Sequence, residues 1–278
     1  MTDMNVQAAQ LPVEKLRPFE GHPFKVKDDA EMEQLTQSIL TQGLLTPIAV
    51  RPIENSEYEV ISGHRRLHAC KKAGIDTVPA LIYALDRDAA TIAMVDSNLH
   101  REKILPSEKA FAYKLKMDAI RHQGTSGQLG QKWTRDEISD SDSGRQVQRY
   151  IRLTELIPEI LRMVDGGKIA LTPAVELSYL TKLEQRDLLE TMESEDCTPS
   201  LSQAIQMKRL SQAGELDIDS IFDILRQPKA NQIDKISFRT EDLRKFFPKG
   251  YTAVQMANDI LKGLELLKRQ RNRSRDAR

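Results

Sequence analysis

The sequence predicts an α+β N-terminal domain, an all-α domain after it, and a small, mostly helical C-terminal unit. Three observations predict this. Short Val- and Ile-containing stretches alternate with helix-forming segments as far as Tyr83, and beyond Asp86 the pattern is almost wholly helical. Breaks at Gly166-Gly167, Pro173 and Pro199 cut that second half into short helices. The length of 278 residues exceeds a typical single domain. The expected division is a mobile tail at 1–10, the α+β domain at 11–102, the all-α domain at 103–226, a linker at 227–234 and the C-terminal unit at 235–278.

Met1 to Gln10 is polar and lacks Lys and Arg, hence the expected tail. Asp28-Asp29 caps a helix whose Met32, Leu35, Ile39 and Leu40 share one face, and Gly43 ends it. Leu44 to Ile53 reads as a strand with Pro47 near its start, Glu54 to Glu57 as a turn, and Tyr58 to Ile61 as the returning strand. A helix with two adjacent arginines follows and stops at Gly74, and Val78 to Tyr83 is a third strand. Ala89–Arg101 and Pro106–His122 read as helices, the second with Pro in its first turn, and Gly124–Gly130 as a loop. In the last unit Lys235–Phe238 reads as a strand, and Thr240–Phe246 and Thr252–Lys268 as helices.

Forty-one Lys and Arg balance forty-one Asp and Glu, so net charge does not point to nucleic acid. The charge is unevenly spread, with seven Lys or Arg against Glu265 and Asp276 between Lys262 and Arg278. Such a tail suits either non-specific contact with a DNA backbone or a solubilising, disordered end. Cys70 and Cys197 are too few for a disulfide framework. No apolar run of membrane-spanning length and no signal peptide is present, so a soluble, cytoplasmic protein is expected.

The strand Tyr58-Glu59-Val60-Ile61 ends at Ser62-Gly63 and passes into His64-Arg65-Arg66. A helix start leaves backbone N–H groups unpaired, glycine admits a ligand close to the backbone, and guanidinium forks match phosphate oxygens. Asn98 and Arg101, three residues apart on an expected helix, suit a second clamp on phosphate oxygens or a metal–phosphate assembly. Ordinary charged helix faces would look the same. His64 and His68 have the spacing of a helical metal pair, but Arg65 and Arg66 lie between them and repel a dication, so no metal ligands are expected.

A second constellation runs from Thr134-Arg135-Asp136-Glu137-Ile138 through a polar turn to Arg145-Gln146-Val147-Gln148-Arg149-Tyr150-Ile151-Arg152. Val147 and Ile151 form an inward stripe, and Ser143 caps the second helix. Arg145, Gln146, Gln148, Arg149 and Arg152 are left to project outward, as a DNA-recognition helix requires.

From about Leu11 to Leu180 these pieces stand in one order: Gly43-Leu44-Leu45-Thr46-Pro47-Ile48, Gly63-His64-Arg65-Arg66, Asn98-Leu99-His100-Arg101, then the helix-turn-helix. In that order they resemble the ParB/RepB family of chromosome and plasmid partition proteins, whose N-terminal fold also occurs in sulfiredoxin. The resemblance implies a cytidine-triphosphate-binding domain, with CTP held by Gly63, Arg65, Arg66, Asn98 and Arg101, usually with Mg²⁺. It implies double-stranded DNA with a specific palindromic site as partner, and a homodimer that closes as a clamp. Catalysis is at most slow CTP hydrolysis. Three positions depart from the family pattern, with Ser97 for a Glu, His64 for a Glu and Thr46 for a Gln. The N-terminal residues also lack the basic side chains by which relatives stimulate a ParA-type ATPase, which counts against that partner. Two alternatives use the same parts: a transcription or replication regulator of a mobile element, and a phosphotransferase or nuclease on the sulfiredoxin-like fold.

Overall fold

The computed structural model describes residues 6–101, 104–126, 138–139, 142–227, 240–248 and 250–276. The chain divides into two compact units, 1–227 and 228–278. In the first, β1 (Val6–Pro12), β2 (Leu16–Pro18), β3 (Ile48–Pro52), β4 (Tyr58–Ser62) and β5 (Thr77–Tyr83) form one sheet in the order β1-β5-β3-β4-β2. The sheet is mixed. β1 runs antiparallel to β5 and β3 to β4, while β5 lies parallel to β3 and β2 to β4.

The expected tail is corrected by β1. Val6 to Pro12 pairs along its length with β5, from Val6 opposite Tyr83 to Pro12 opposite Thr77. An edge strand with one solvated side needs few apolar residues, and Leu11 and Val13 anchor this one in the core, so its polar sequence conceals it. The strand expected from Leu44 begins only at Ile48, because the Thr46 and Pro47 carbonyls are taken by the Arg66 guanidinium rather than by a neighbouring strand.

Alternation along β4 sends residues to opposite sides. Val60 joins Ile48, Val50 and Val78 against Met32 and Ile39 of α1 (Ala30–Gln42) and Leu67 and Cys70 of α2 (His64–Lys72). Ile61 joins Phe19 and Phe24 against Met94 and Val95 of α3 (Arg87–Leu99) and Ala112 of α4 (Pro106–Ser126). α4 also places Ala110 in the large helical core with Leu153, Ile160, Leu177, Leu188, Met207 and Ile221, and Tyr113 and Ile120 in a third cluster with Ile138 and Val147. A helix that is apolar on several sides must be covered on several sides. The joint expected at 102/103 therefore lies inside one compact unit, with α4 belonging to the cores on both sides of it.

The helical region continues through α5 (Gly144–Arg152), α6 (Pro158–Asp165), α7 (Leu171–Leu177), α8 (Lys182–Ser194), α9 (Leu201–Ala213) and α10 (Ile218–Arg226). Pro173 sits in the first turn of α7, where its missing N–H costs nothing, rather than breaking a helix. The expected helix at Thr134–Glu137 lies outside the described residues, as does the strand at Lys235–Phe238. In the second unit α11 spans Thr240–Arg244 and α12 spans Ala253–Asp276, so the basic segment continues a helix instead of fraying after Lys268. Thr252 and Gln255 cap α12 reciprocally, at 2.9 and 3.3 Å.

Candidate nucleotide and nucleic-acid sites

Gly63 holds φ +104° at the start of α2, a left-handed conformation that side chains resist. A Cβ there would stand 3.1 to 3.3 Å from the Arg66 guanidinium. That guanidinium is committed, donating from one nitrogen to the Thr46 and Pro47 carbonyls, each at 2.7 Å. Arg66 therefore braces the β4–α2 turn against the segment entering β3. Arg65 points elsewhere. It reaches Glu31 Oε2 at 3.2 Å and Asp29 Oδ1 at 3.6 Å, and lines a cavity of about 750 Å³.

That cavity gathers Lys25, Lys27, Arg65 and Arg101 with Asp29, Glu31 and Glu108. α3 ends at Leu99, so Arg101 leaves the helix and does not share a face with Asn98 as expected. Arg101 lies over the Phe24 ring at 5.6 Å. Asn98 is buried and donates to the Met94 carbonyl at 2.8 Å, stiffening the last turn of α3. Glu108 accepts from the Lys25 N–H at 2.9 Å and the Leu105 N–H at 3.2 Å, tying the start of α4 to the cavity rim. The acidic side chains are thus engaged with neighbours, and four cations face one space large enough for a triphosphate. This donor set fits a polyphosphate. Ser97 turns its hydroxyl back to the Met94 carbonyl at 2.9 Å, and among the described residues no group of three or more His, Cys, Asp or Glu is placed to hold an ion. Lys25, Lys27 and Glu108 were missed in the sequence because they come from a loop and from a helix start that only the fold brings together.

Beside Gly63, His64 is buried and its Nε2 accepts from the Phe19 N–H at 3.3 Å. Its ring lies 3.7 Å from that of His22. Burial pushes the His64 imidazole down to about 3, and His22 and Arg101 push the same way. The folded value lies below the unfolded one, so between them the unfolded chain binds the extra proton. This contribution is complete above about pH 6.5 and is lost as pH falls toward 3, at about 1.4 kcal/mol per pH unit. Urea unfolding at pH 7 and pH 5 should show the wild type losing about 2 kcal/mol more than His64→Gln. Equal losses would mean that His64 does not fold in its neutral form.

On the far side of α4, Ser143 caps α5 by accepting from the Gln146 N–H at 3.3 Å, and Val147 is fully buried. Arg145, Gln146 and Arg149 line a groove with Thr172 and Tyr179. Arg149 donates to Gln146 Oε1 at 3.0 Å and Thr172 Oγ1 at 2.7 Å, which pre-orients its fork. The other two expected contacts point away. Gln148 reaches Met117 Sδ on α4 at 3.8 Å, and Arg152 donates to the Ser178 carbonyl at 2.5 Å while its guanidinium lies 4.1 Å from the Tyr179 ring.

Residues 2–99 match the ParB N-terminal domain model. Over 211 residues the chain is 30% identical to the nucleoid occlusion protein of Bacillus thuringiensis strain Al Hakam, covering 73% of this chain and 70% of that one. The chain belongs to the ParB family. It is 26% identical over 264 residues to the probable chromosome-partitioning protein ParB of Vibrio cholerae, covering 94% of this chain and 85% of that protein. Similar solved structures include the C-terminally truncated ParB of Caulobacter crescentus. Its complex with the centromeric parS site matches at a TM-score of 0.45, with 22% identity over 78% of this chain and 98% of that one. Its complex with CTP-γ-S matches at 0.32, with 26% identity over 62% and 92%. No helix among the described residues of this ParB-family chain is long and apolar enough to cross a membrane.

Proposed function

We propose that this ParB-family chain is a sequence-specific DNA-binding protein of a partition system, switched by CTP. The observation that carries the proposal is the capped start of α5. Val147 is buried behind it, and Arg145, Gln146 and Arg149 share one outward groove. These are the side chains that read base edges in a major groove, and the buried stripe holds the helix at a fixed angle to do so. Arg152 and Gln148 act from behind, anchoring α5 to α7 and α4. The four-cation cavity lined by Lys25, Lys27, Arg65 and Arg101 supports a nucleoside triphosphate as effector, with Arg65 and Arg101 on its phosphates and Arg66 holding the turn. A divalent ion entering with the nucleotide would take its ligands mainly from the phosphates.

The protein works as a dimer on a palindromic site. α12 supports this, since Val254, Leu261, Leu264 and Leu267 are all more than half exposed on one 24-residue helix. CTP binding would change the equilibrium between two arrangements of that dimer.

One binding experiment tests both halves. An inverted repeat is selected by the wild-type protein from random DNA, and affinity for it and for scrambled DNA is then measured with CTP, ATP, GTP or UTP present. Arg149→Ala should weaken the selected site roughly 10- to 100-fold and the scrambled DNA only a few-fold. Equal losses would reduce α5 to a backbone contact. CTP alone should alter the DNA affinity, and indifference to all four nucleotides would remove the switch.

A further inference from the structure

We propose that Glu176 is a specificity-determining residue of the groove beside α5, where it accepts a hydrogen bond from the N4 amino group of a cytosine. The inference rests on the reading of α5 as a DNA-recognition helix and names a base that the groove selects. The groove is lined from two sides, by Arg145, Gln146 and Arg149 of α5 and by Thr172, Glu176 and Tyr179 of α7 and the turn after it. Of the residues that line it, Glu176 alone is acidic. A carboxylate in a surface that meets DNA is repelled by the phosphates, so it weakens binding to every sequence that does not offer it a base donor.

The local geometry keeps this carboxylate apart from the arginines. Thr172 and Glu176 stand one turn apart on the same face of α7, and Arg149 donates to Thr172 Oγ1 at 2.7 Å. Arg149 is engaged by Gln146 and Thr172, while Glu176 Oε2 accepts from Lys208 Nζ of α9 at 2.9 Å. Lys208 is steadied in turn by Tyr179, its ammonium 3.8 Å from the ring centre. The Glu176 side chain is only 24% exposed, so it is a fixed acceptor rather than a free surface chain. Its Oε1 accepts no hydrogen bond among the described residues. The groove therefore offers donors on α5 and one held acceptor on α7. In the major groove adenine sets an acceptor, N7, beside its N6 donor, whereas cytosine presents the N4 donor without one, and a carboxylate suits the second pattern.

The test uses an inverted repeat selected by the wild-type protein from random DNA, with each base pair of a half-site then replaced in turn. At one position, replacing a cytosine should cost the wild type about tenfold in affinity. Glu176→Ala should flatten that position to within about twofold and leave the other preferences in place. It should also bind scrambled DNA roughly two- to fivefold more tightly, because phosphate repulsion is lost. Glu176→Gln preserves the packing between α7 and α9 and should favour adenine over cytosine at that position, since an amide pairs with N6 and N7 together. Wild-type preferences kept at every position by both variants overturn the assignment and leave α5 as the reader. A uniform loss across all positions in both variants makes Glu176 a structural ion-pair partner and overturns it as well. A wild type that selects no site from random DNA overturns both readings.

Discussion

Replacing Gly63 with alanine should destabilise the protein by about 2–3 kcal/mol and lower its affinity for CTP at least tenfold. Two costs combine. The backbone holds φ +104°, where any Cβ is strained. The new methyl would also lie 3.1 Å from a terminal nitrogen of Arg66 and 3.3 Å from the guanidinium carbon. A flexible side chain would normally move aside cheaply. Arg66 cannot, because it closes the Thr46 and Pro47 carbonyls at 2.7 Å each and those groups have no strand partner in its place. Displacing it would loosen the entry to β3 and shift Arg65, the next residue along, out of the cavity. Urea unfolding and CTP titration of Gly63→Ala measure the two effects. Stability within 0.5 kcal/mol of wild type and unchanged CTP affinity would show that the turn is tolerant and the Arg66 brace unimportant.

The same turn shows what a sequence can and cannot disclose. Gly63 between a strand and two arginines marks a candidate anion site through local chemistry, and that is legible. Which arginine faces the cavity is decided by contacts 20 and 34 residues away, Thr46 for Arg66 and Glu31 for Arg65. Helical spacing groups Asn98 with Arg101, but the helix ends between them. β1 escaped notice because an edge strand draws its stability from the backbone of β5 and needs little apolar periodicity. On α5 the sequence separated the inward stripe from the outward face. It could not see that Gln148 and Arg152 are claimed by α4 and by Ser178.

Asp142→Ala should cost about 2–3 kcal/mol and weaken binding to every DNA about tenfold or more, while CTP affinity stays within a few-fold of wild type. Asp142 lies immediately before the Ser143 cap of α5. Its carboxylate accepts from Lys109 Nζ and from Tyr113 Oη, each at 2.6 Å, and both donors stand on α4. Burial opposes ionisation of Asp142, but these two bonds outweigh it and hold the group below the usual carboxylate range. Its backbone N–H donates to Ser139 Oγ at 3.1 Å, and that hydroxyl lies 3.0 Å from Tyr113 Oη, positioned to donate to it while the Tyr113 proton goes to Asp142. The turn into α5 is thus fixed to α4 by a largely buried polar network, and removing its carboxylate leaves the Lys109 ammonium with its desolvation uncompensated. Lys109 adjoins Glu108, whose carboxylate holds the Lys25 backbone at the rim of the proposed nucleotide cavity. One turn of α4 therefore touches both proposed sites, and Asp142 is the point where α5, the helix proposed to read DNA, is attached to it. Asp142→Asn keeps an acceptor oxygen without the charge and should recover about half of the lost stability. Loss of CTP affinity equal to the loss of DNA affinity in Asp142→Ala would mean that the substitution unfolds the whole unit, and unchanged DNA binding would mean that α5 is held without this network.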